Sequence, residues 1–580
     1  DPFDGCGLYF GSQFVHKSTD CGQSWELISP DLTTNDSLKQ LQHLSGGLTI
    51  DDTEAENHTT ILAIAPSPAD RQVIWVGTDD GNLQLTQDGG ATWTNLGDRL
   101  PGARPNSWIP YIEVSADNPA EAFVIVNDYR RNDWRPMAYH TIDFGQTFTR
   151  IADETKVSGH ALCIVQDPEV PSLLWLGTDH GLYLTIDGGA NWTKWDHDFP
   201  GVSTRDLKIH PREHDLVIGT FGRAAWVIDD IRPIREIART GGAVLDEPFK
   251  AFPAPDAWQA EYRSYDGIRF TADGEFIGEN ARGGATVTLW VGNPKKNVAE
   301  NVIEDSQKSG KKKKKGAENA DAPDTADSTK VADPAPPKDN KVKVMVMNSA
   351  GDTIRTFSSR LDTGMNRITW GMDRDGYRFP SRRAPREDAD PPGGSSVLPG
   401  TYTMHFTYGD FRDSTTVSVH ADPRLEVSME ALLQQQSAAD SFGLMAEEAA
   451  EGFDRLREMT ETIELVSKIM VKFPDSLQTS LRDSAKVISD TIAELEKQFM
   501  TPDGLKGIQR SSDNLNSDLY RASSYLRSST GPPNQAARRM MEKAHSRWHK
   551  IKASIQHLEQ TTWQSYKKAL KIALIDIQLE

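Results

Sequence analysis

Short apolar runs recur four at a time along the first part of the chain. The second repeat contains such runs at residues 60–65, 73–76, 83–86 and 92–96. Two further repeats keep the same order, at 109–114, 122–126, 138–141 and 147–151, and at 161–165, 174–176, 182–185 and 191–195. Each run is strand-sized, rich in β-branched and aromatic residues, and bounded by turn residues. Four strands in a period of about 40 to 50 residues predict the blades of a β-propeller.

The turn before the fourth strand of each repeat carries the pattern Asp-x-Gly-x-Ser/Thr-Trp/Phe, with Asn at the hydroxyl position of the last copy. In such a turn the Asp side chain accepts backbone N–H groups, the Gly adopts positive φ, and the aromatic residue returns into strand register to pack between blades. We therefore predict that these residues stabilise the fold and perform no catalysis: Asp20, Gly22, Trp25, Asp88, Gly90, Trp93, Asp143, Gly145, Phe148, Asp187, Gly189 and Trp192.

The first and last repeats are incomplete in different ways. The first begins at residues 7–11, which match the second strand of the other repeats. The last has runs at 206–210, 215–219 and 224–228, then stops without the boxed turn or a fourth strand. Neither part-blade completes the other, and open sheet edges are unfavourable. Residues 1–233 are therefore predicted to be the C-terminal part of a β-propeller, about five blades or part-blades, with the remainder upstream of residue 1.

The boxed turns, together with the segments 219–223 and 228–231, resemble Asp-box (BNR) repeat proteins. Within that group the chain is similar to the VPS10/sortilin-like propellers of bacterial secreted proteins often labelled glycosyl hydrolases. The resemblance covers about the first 230 residues. It implies a propeller fold and leaves the activity open, because sialidases, xyloglucanases and non-enzymatic receptors share the boxes.

The middle of the chain, residues 234–425, predicts a small antiparallel β-sandwich. Residues 342–357 alternate with period two around an Ala-Gly-Asp turn, and further strand-like runs lie at 267–271, 285–291, 366–370, 400–408 and 414–419. A lysine-rich insert of low complexity, about 294–338, has the composition of a disordered loop. Residues 398–402 resemble immunoglobulin-like, FlgD-like modules, which space or dock other domains.

Residues 426–580 switch to a helical period. Four apolar stripes with spacings of three and four residues lie within 442–473, 481–499, 515–526 and 541–558. They predict amphipathic helices in an antiparallel bundle. Residues 571–579 are compatible with a strand or with a continued last helix, and the helix is favoured.

Composition narrows the functional classes. The 580-residue chain has a formal net charge of -20, too acidic for a general nucleic-acid binder. It lacks an apolar run of about 18 residues, so no membrane span is predicted.

Cys6 and Cys21 can pair in an oxidising compartment, although unpaired thiols are the simpler interpretation for them and Cys163. The segment 210–214 places two His and a Glu around a Pro, which favours a strand connection, and we predict neither a metal site nor a cofactor.

The loops from a fourth strand to the next first strand, and from second to third strands, lie on one face of a propeller. Long loops there, at 29–59 and 127–135, are where binding is usually built. The candidate ligand-binding residues of this face are His58, Asp79, Asp80, Arg104, Trp108, Asp128, Arg130, Arg131, His160, Asp179, His180 and Arg223. The arginines cannot be matched to a sialidase triad, and no catalytic residue is assigned.

Two functions stay open. The first is a secreted or cell-surface binding or scaffold protein that recognises a protein, peptide or glycan and is docked through its C-terminal domains. Its expected partners include the upstream part of the same polypeptide and a cell-surface or outer-membrane complex. The second is a sialidase- or xyloglucanase-like glycoside hydrolase acting in the propeller channel, with two carboxyl groups about 5 to 10 Å apart. The resemblance implies a secreted, periplasmic or outer-surface location in a Gram-negative bacterium.

Overall fold

The computed structural model describes residues 1–41, 58–260, 283–292, 340–386, 389–470, 473, 475–502 and 513–579. The chain divides into two compact units, Asp1–Glu247 and Pro248–Glu580. The predicted strand at 267–271 and the insert at 294–338 lie outside the described residues.

The first unit consists of five antiparallel sheets, each formed by strands that follow one another in the chain. Sheet 1 contains β1 (Leu8–Gly11), β2 (Val15–Ser18) and β3 (Glu26–Leu27); sheet 2 contains β4 (Ile61–Pro66), β5 (Ile74–Thr78), β6 (Leu83–Thr86) and β7 (Thr94–Asn95). Sheet 3 contains β8 (Trp108–Val114), β9 (Ala122–Asp128), β10 (Asp133–Thr141) and β11 (Thr149–Ala152); sheet 4 contains β12 (Ala161–Gln166), β13 (Leu174–Thr178), β14 (Gly181–Thr185) and β15 (Thr193–Trp195). Sheet 5 contains β16 (Thr204–Ile209), β17 (Leu216–Thr220) and β18 (Ala225–Ile228).

Consecutive sheets stack through their first strands, and apolar side chains fill the space between them. The strand β8 contacts β4 on one side and β12 on the other, and β12 contacts β16. Trp75 is fully buried between sheets 2 and 3, and Trp175 between sheets 4 and 5. Four-stranded meanders stacked in this way are the construction of β-propeller blades. The stacked four-stranded sheets confirm the prediction of a propeller fold.

The boxed turns of sheets 1 to 3 are closed by two hydroxyl groups around one carboxylate, and in that of sheet 4 the side-chain amide of Asn191 replaces one hydroxyl. In sheet 2, Asp88 accepts hydrogen bonds from the backbone N–H and the hydroxyl of Thr92. The hydroxyl of Thr86 donates to Asp88 and accepts the N–H of Gly90. These bonds, led by that from the Thr92 hydroxyl, lower the pKa of Asp88 to about 2. Ser18, Thr141 and Thr185 occupy the Thr86 position in the other turns.

This second hydroxyl was not part of the predicted pattern, although a Ser or Thr stands two residues before each box Asp. It connects the carboxylate to the N–H of the box glycine and so completes the turn. The turn is therefore a closed network made by neighbouring residues alone.

The cysteines differ from the simpler interpretation of three free thiols. Cys6 and Cys21 form a disulfide, and Cys163 is free and buried. The bond joins the segment before β1 to the boxed turn of the same sheet. A disulfide constrains the unfolded chain and so stabilises this three-stranded sheet.

A short helix that the apolar pattern did not predict follows sheet 5. Helix α1 (Arg232–Arg239) has Pro233 in its first turn, which suits a helix start. Its Arg235 is almost fully buried and donates from Nε to Asp167 at 2.7 Å and from Nη1 to Glu169 at 2.6 Å. The helix is thereby fixed to the turn between β12 and β13.

The second unit begins with two larger sheets and a two-stranded ribbon. One sheet has the order β19 (Phe249–Ala251), β21 (Ala285–Val291), β24 (Gly364–Trp370); the ribbon pairs β25 (Asp373–Asp375) with β26 (Gly393–Ser396). The other sheet has the order β20 (Ala257–Trp258), β28 (Phe411–His420), β27 (Gly400–Tyr408), β22 (Lys341–Met347), β23 (Thr353–Arg360). The buried side chains of both larger sheets, including Val287, Trp370 and Met404, belong to one apolar core.

The rest of the second unit is helical, as predicted. Its helices are α2 (Met429–Ile469), α3 (Asp475–Phe499), α4 (Leu515–Leu526), α5 (Gln535–Leu558) and α6 (Gln564–Leu579), with a π-helical turn at Glu559–Trp563. They share a core that contains Phe453, Ile488 and Trp548. Arg378, which follows the ribbon strand β25, pairs with Glu447 and Asp454 of α2. Across the described residues, no helix combines the length and apolarity that a bilayer crossing requires.

Candidate functional site

Carboxyl groups stand at the ends of the second strands of three consecutive sheets, and each faces a basic partner. Asp79 follows β5 and lies 3.2 Å from Nδ1 of His58. Asp128 ends β9 and accepts from Nε of Arg131 at 2.6 Å.

Asp179 follows β13 and lies 3.3 Å from Nδ1 of His160. The repeat therefore places one acid–base pair per sheet along the predicted ligand face. Burial raises the pKa of Asp79, opposed by the hydrogen bond from the backbone N–H of Thr60. Burial also lowers the pKa of His160.

Asp80 has a different role from Asp79. One of its carboxyl oxygens accepts from the backbone N–H and hydroxyl of Thr34, and the other accepts from the hydroxyl of Thr78. Asp80 is almost fully buried. It therefore holds the segment after sheet 1 against sheet 2 and offers little to a ligand.

Two of the predicted arginines are engaged with the loops that carry them. Arg131 donates to the backbone oxygen of Pro105 and the hydroxyl of Ser107 as well as to Asp128. Arg104 lies 3.6 Å from Asp128 and 3.7 Å from Asp133. The pKa of Asp133 falls to about 2, chiefly through hydrogen bonding from Arg135. The charges of this loop are therefore mutually neutralised.

Arg130 is arranged differently, as part of a ladder of rings. Its guanidinium lies 3.3 Å from the ring centroid of Trp108 and 4.6 Å from that of Tyr129. Tyr129 stacks on His160 with centroids 4.7 Å apart, and Trp134 packs edge-on against His160 at 5.6 Å. Stacking fixes these side chains, so the surface that they present is preorganised.

A cavity of about 180 Å³ opens beside this ladder. It is lined by Lys39, His58, Asn106, Trp108, Asn127, Asp128, Arg130 and Arg131. Asn127 Oδ1 and Asp128 Oδ2 are buried there, and neither accepts a hydrogen bond from the described residues. Both atoms are shielded from solvent, and Asp128 Oδ2 lies 3.6 Å from Nη1 of Arg104. Five predicted ligand-face residues line this cavity, and His160 joins it through the ladder.

His180 and Arg223 do not join this group. His180 is hydrogen-bonded to the hydroxyl of Ser158 at 2.8 Å and lies 3.8 Å from Asp179. Arg223 lies in the turn between β17 and β18, where its backbone oxygen accepts the indole N–H of Trp226. Neither side chain lines the cavity.

A second polar cluster, absent from the predicted site, lies on the first strands of sheets 3 and 5. Glu113 lies on β8, and Asp206 and Lys208 lie on β16. Burial raises the pKa of Glu113 to about 7, with Lys208 opposing and Asp206 adding to the shift. Burial also raises the pKa of Tyr111, two residues before Glu113. The sequence did contain a signal for this cluster, because these charged residues interrupt strands that are otherwise apolar.

The segment 210–214 forms a turn, as the Pro after its first His indicates. His210 accepts the backbone N–H groups of Arg212 and Glu213, and His214 lies beside Arg235. In the part of the chain that the structure describes, no group of three or more His, Cys, Asp or Glu is placed to hold a metal ion.

No protein-family model matches the chain, and no curated protein matches it. Parts of solved structures do. An ancestral GH74 enzyme is 17% identical, with a TM-score of 0.29; the match covers 38% of this chain and 26% of the enzyme. A GH74 xyloglucanase from Xanthomonas campestris is 16% identical, with a TM-score of 0.25; the match covers 40% of this chain and 44% of the xyloglucanase. YCF48 bound to a D1 peptide is 23% identical, with a TM-score of 0.23; the match covers 29% of this chain and 51% of YCF48. This chain thus spans between about a quarter and a half of each.

Proposed function

We propose that this chain is a secreted or cell-surface β-propeller protein that binds a protein, peptide or glycan, without turnover, at the cavity beside Trp108 and Arg130. The observation that carries the proposal is a preformed cavity of about 180 Å³, whose lining includes the stacked Trp108 and Arg130 side chains together with Asn127 and Asp128. The guanidinium of Arg130 lies over the Trp108 ring, so the lining offers N–H donors beside an aromatic surface. Convergent polar groups in a rigid concave site are typical of ligand recognition.

The acids of the same face support binding over hydrolysis. A glycoside hydrolase needs one protonated and one free carboxyl group on either side of the scissile bond. Asp80, Asp128 and Asp133 are instead held by hydroxyl groups or arginines. Asp79 has a raised pKa but faces His58. We infer that these carboxylates hold the loops of this face in place and do not transfer protons.

The proposed location is outside the cytoplasm, in the periplasm or on the outer surface of a Gram-negative bacterium. The disulfide between Cys6 and Cys21 supports an oxidising compartment. The Ser/Thr-x-Asp-x-Gly turns support a relationship with Asp-box proteins of the VPS10/sortilin-like type. The second unit would dock the protein to a cell-surface or outer-membrane complex.

The test is a capture experiment with a matched variant. The purified chain is immobilised and exposed to a detergent extract of native membranes, and bound proteins and glycans are identified by mass spectrometry. We expect the double variant Trp108→Ala/Arg130→Ala to retain at least tenfold less of a specific ligand than the unaltered chain. Arg212→Ala, an exposed arginine on a remote turn, is the control and should retain it fully. Equal retention by the double variant would contradict the proposed site.

The alternative is a glycoside hydrolase that uses the cluster on the first strands. Glu113, with a pKa near 7, has the property of a general acid at neutral pH, and Asp206 is a nearby carboxylate. This observation favours the cluster over any acid of the loop face. Release of reducing sugar from a panel of plant and bacterial polysaccharides would be lost in Glu113→Gln and kept in Trp108→Ala/Arg130→Ala. No release by the unaltered chain would exclude this alternative for that panel.

A further inference from the structure

A second, wider cavity lies at the opposite end of the ring ladder from Trp108. Its volume is about 600 Å³, and it is lined by residues 132–136 and 154–159 and by Tyr183. We call it the outer trough. Its size is typical of sites for small ligands, which commonly measure about 300–1,000 Å³. None of the twelve predicted ligand-face residues lines it, so the trough is a separate feature of the same face.

Trp134 presents an aromatic ring to the outer trough. It is 52% exposed, more than any other described tryptophan, although the strand that carries it, β10, is mostly buried. Its indole N–H donates to Oδ1 of Asn132 at 3.0 Å. The ring also packs edge-on against His160 and lies 5.8 Å from Tyr129. These contacts fix the ring while one side stays open, so a ligand that stacks on it does not have to order it first.

Hydrogen-bond donors surround this ring. Arg135 donates from Nε and Nη2 to Asp133, and no described residue accepts from its Nη1. Lys156 is exposed and forms no ion pair within the described part of the chain. The hydroxyl oxygen of Tyr183 accepts the backbone N–H of Ser158 at 3.1 Å, which leaves the hydroxyl proton to donate. The trough therefore offers at least three donors to a ligand.

An acceptor lies on the opposite wall, in a segment with a fixed backbone. The Glu154 carboxylate is exposed and is bonded through Oε2 to Arg150, which leaves Oε1 for a ligand. The backbone oxygen of Asp153 accepts the N–H groups of Lys156 and Val157. This turn holds Glu154 and Lys156 in place, so the polar groups of the trough are preorganised.

One stacking ring among mixed donors and acceptors matches the chemistry of a sugar. A pyranose has a face of C–H bonds, whose partial positive charge suits the negative face of an indole. Its rim carries hydroxyl groups, each of which both donates and accepts. The aliphatic residues of the lining, Pro136 and Val157, are buried. An apolar anchor from a protein partner would therefore find little surface to bury, whereas such anchors normally fill packed, dry pockets.

Trp108, at the other end of the ladder, is not available for the same stacking. The Arg130 guanidinium already covers a face of its ring, 3.3 Å from the centroid. The cavity there is also smaller, at about 180 Å³. The two ends of the ladder thus present different surfaces, and the open aromatic face belongs to the outer trough.

We propose that the outer trough is a glycan-binding site, in which a pyranose ring stacks on Trp134 and its hydroxyl groups bond to Arg135 and Lys156. Glu154 accepts from a further hydroxyl group. The proposal does not depend on what the cavity beside Trp108 binds.

The test measures binding of the 580-residue chain to an array of immobilised oligosaccharides that spans neutral hexoses, amino sugars and uronic acids. We expect binding to at least one of these classes and a loss of roughly tenfold or more in affinity in Trp134→Ala, because the stacking surface is removed. Trp134→Phe keeps a ring and should lose less than about threefold. Lys156→Ala, which leaves the ring untouched, should lose about threefold.

The matched control is Trp258→Ala. Trp258 is 46% exposed and stacks on His420 with centroids 4.6 Å apart, so its removal deletes a comparable exposed tryptophan outside the trough. This variant should bind the array as the unaltered chain does.

Three results would overturn the proposal. One is that the unaltered chain binds no member of the array. Another is equal binding by Trp134→Ala; if Trp108→Ala/Arg130→Ala then loses binding, the glycan lies in the cavity beside Trp108 instead. The third is Trp134-dependent binding to a peptide array without binding to any glycan, because it would identify a protein partner.

Discussion

A glycine near the end of the second strand sets how closely two sheets approach. At Gly77 a Cβ atom would lie 2.5 Å from the backbone oxygen of Ile109, on the first strand of the next sheet. At Gly177 it would lie 2.7 Å from the backbone oxygen of Thr204. Neither backbone can move without separating the first strands. The glycine is therefore required by the stacking of the sheets and not by its own turn.

We predict that Gly77→Ala destabilises the first unit by about 1–3 kcal/mol, because the added methyl group overpacks the interface between sheets 2 and 3. Gly219→Ala is the matched control. The same position in sheet 5 meets its nearest atom, Cβ of Asp206, at 3.5 Å, which is ordinary contact. Its free energy of unfolding should stay within about 0.5 kcal/mol of the unaltered value. Urea denaturation followed by tryptophan fluorescence measures both, and equal effects would contradict the interpretation.

At the scale of elements, helix α1 is joined to the sheets by one buried arginine. Arg235 donates to Asp167, whose side chain is fully buried, and its Nη1 lies 2.7 Å from Nδ1 of His214. The helix thereby ties the turn of sheet 4 to the turn of sheet 5. Removing one partner of a buried ion pair leaves the other charge without compensation.

Arg235→Met should therefore cost about 3–5 kcal/mol of unfolding free energy, since the Asp167 carboxylate stays buried. Arg239→Met, which removes a half-exposed pair with Glu169 on the same helix, should change it by less than about 0.5 kcal/mol. Chemical denaturation of the two variants provides the comparison. A small effect of Arg235→Met would show that Asp167 becomes hydrated or protonated at little cost.

At the scale of the whole molecule, two sets of carboxyl groups act on stability in opposite directions. The box residues Asp20, Asp88 and Asp143 have pKa values of about 2, below the ordinary 3.8, chiefly through hydrogen bonds from the box Ser and Thr residues. Their contribution is present above about pH 4 and is lost as the pH falls towards 2. Glu113 has a pKa of about 7, above the ordinary 4.5, because of burial. Its contribution is present below pH 4.5 and is lost as the pH rises through 7.

We expect the thermal unfolding midpoint to be highest near pH 4 to 5 and to fall on both sides. Glu113→Gln should flatten the decline between pH 4.5 and 7, by an amount equivalent to about 1–3 kcal/mol, because the amide does not ionise. The exposed Glu213→Gln is the control and should leave the decline unchanged. Calorimetry across this pH range checks the prediction. An unaltered slope in Glu113→Gln would show that Glu113 ionises normally in the folded protein.

The sequence by itself determined the features that neighbouring residues build. The four strand runs per repeat, the boxed turns and the helical stripes after residue 426 each depend on local spacing. The prediction of four-stranded β units followed by a helical region is confirmed for this reason. Helix α1 was missed because it is short and is held by Arg235 through partners distant in sequence.

Only the tertiary structure decided which polar residues are available for chemistry. The sequence grouped twelve ligand-face candidates, but Asp80 and Arg131 proved to be bound by the loops, whereas Arg130 stacks beside the cavity. Glu113 and Asp206 come together only because β8 and β16 both lie beside β12. Whether an ionisable side chain is charged depends on its burial and on its distance from other charged groups. Segments that are distant in sequence set both, so spacing along the chain does not predict them.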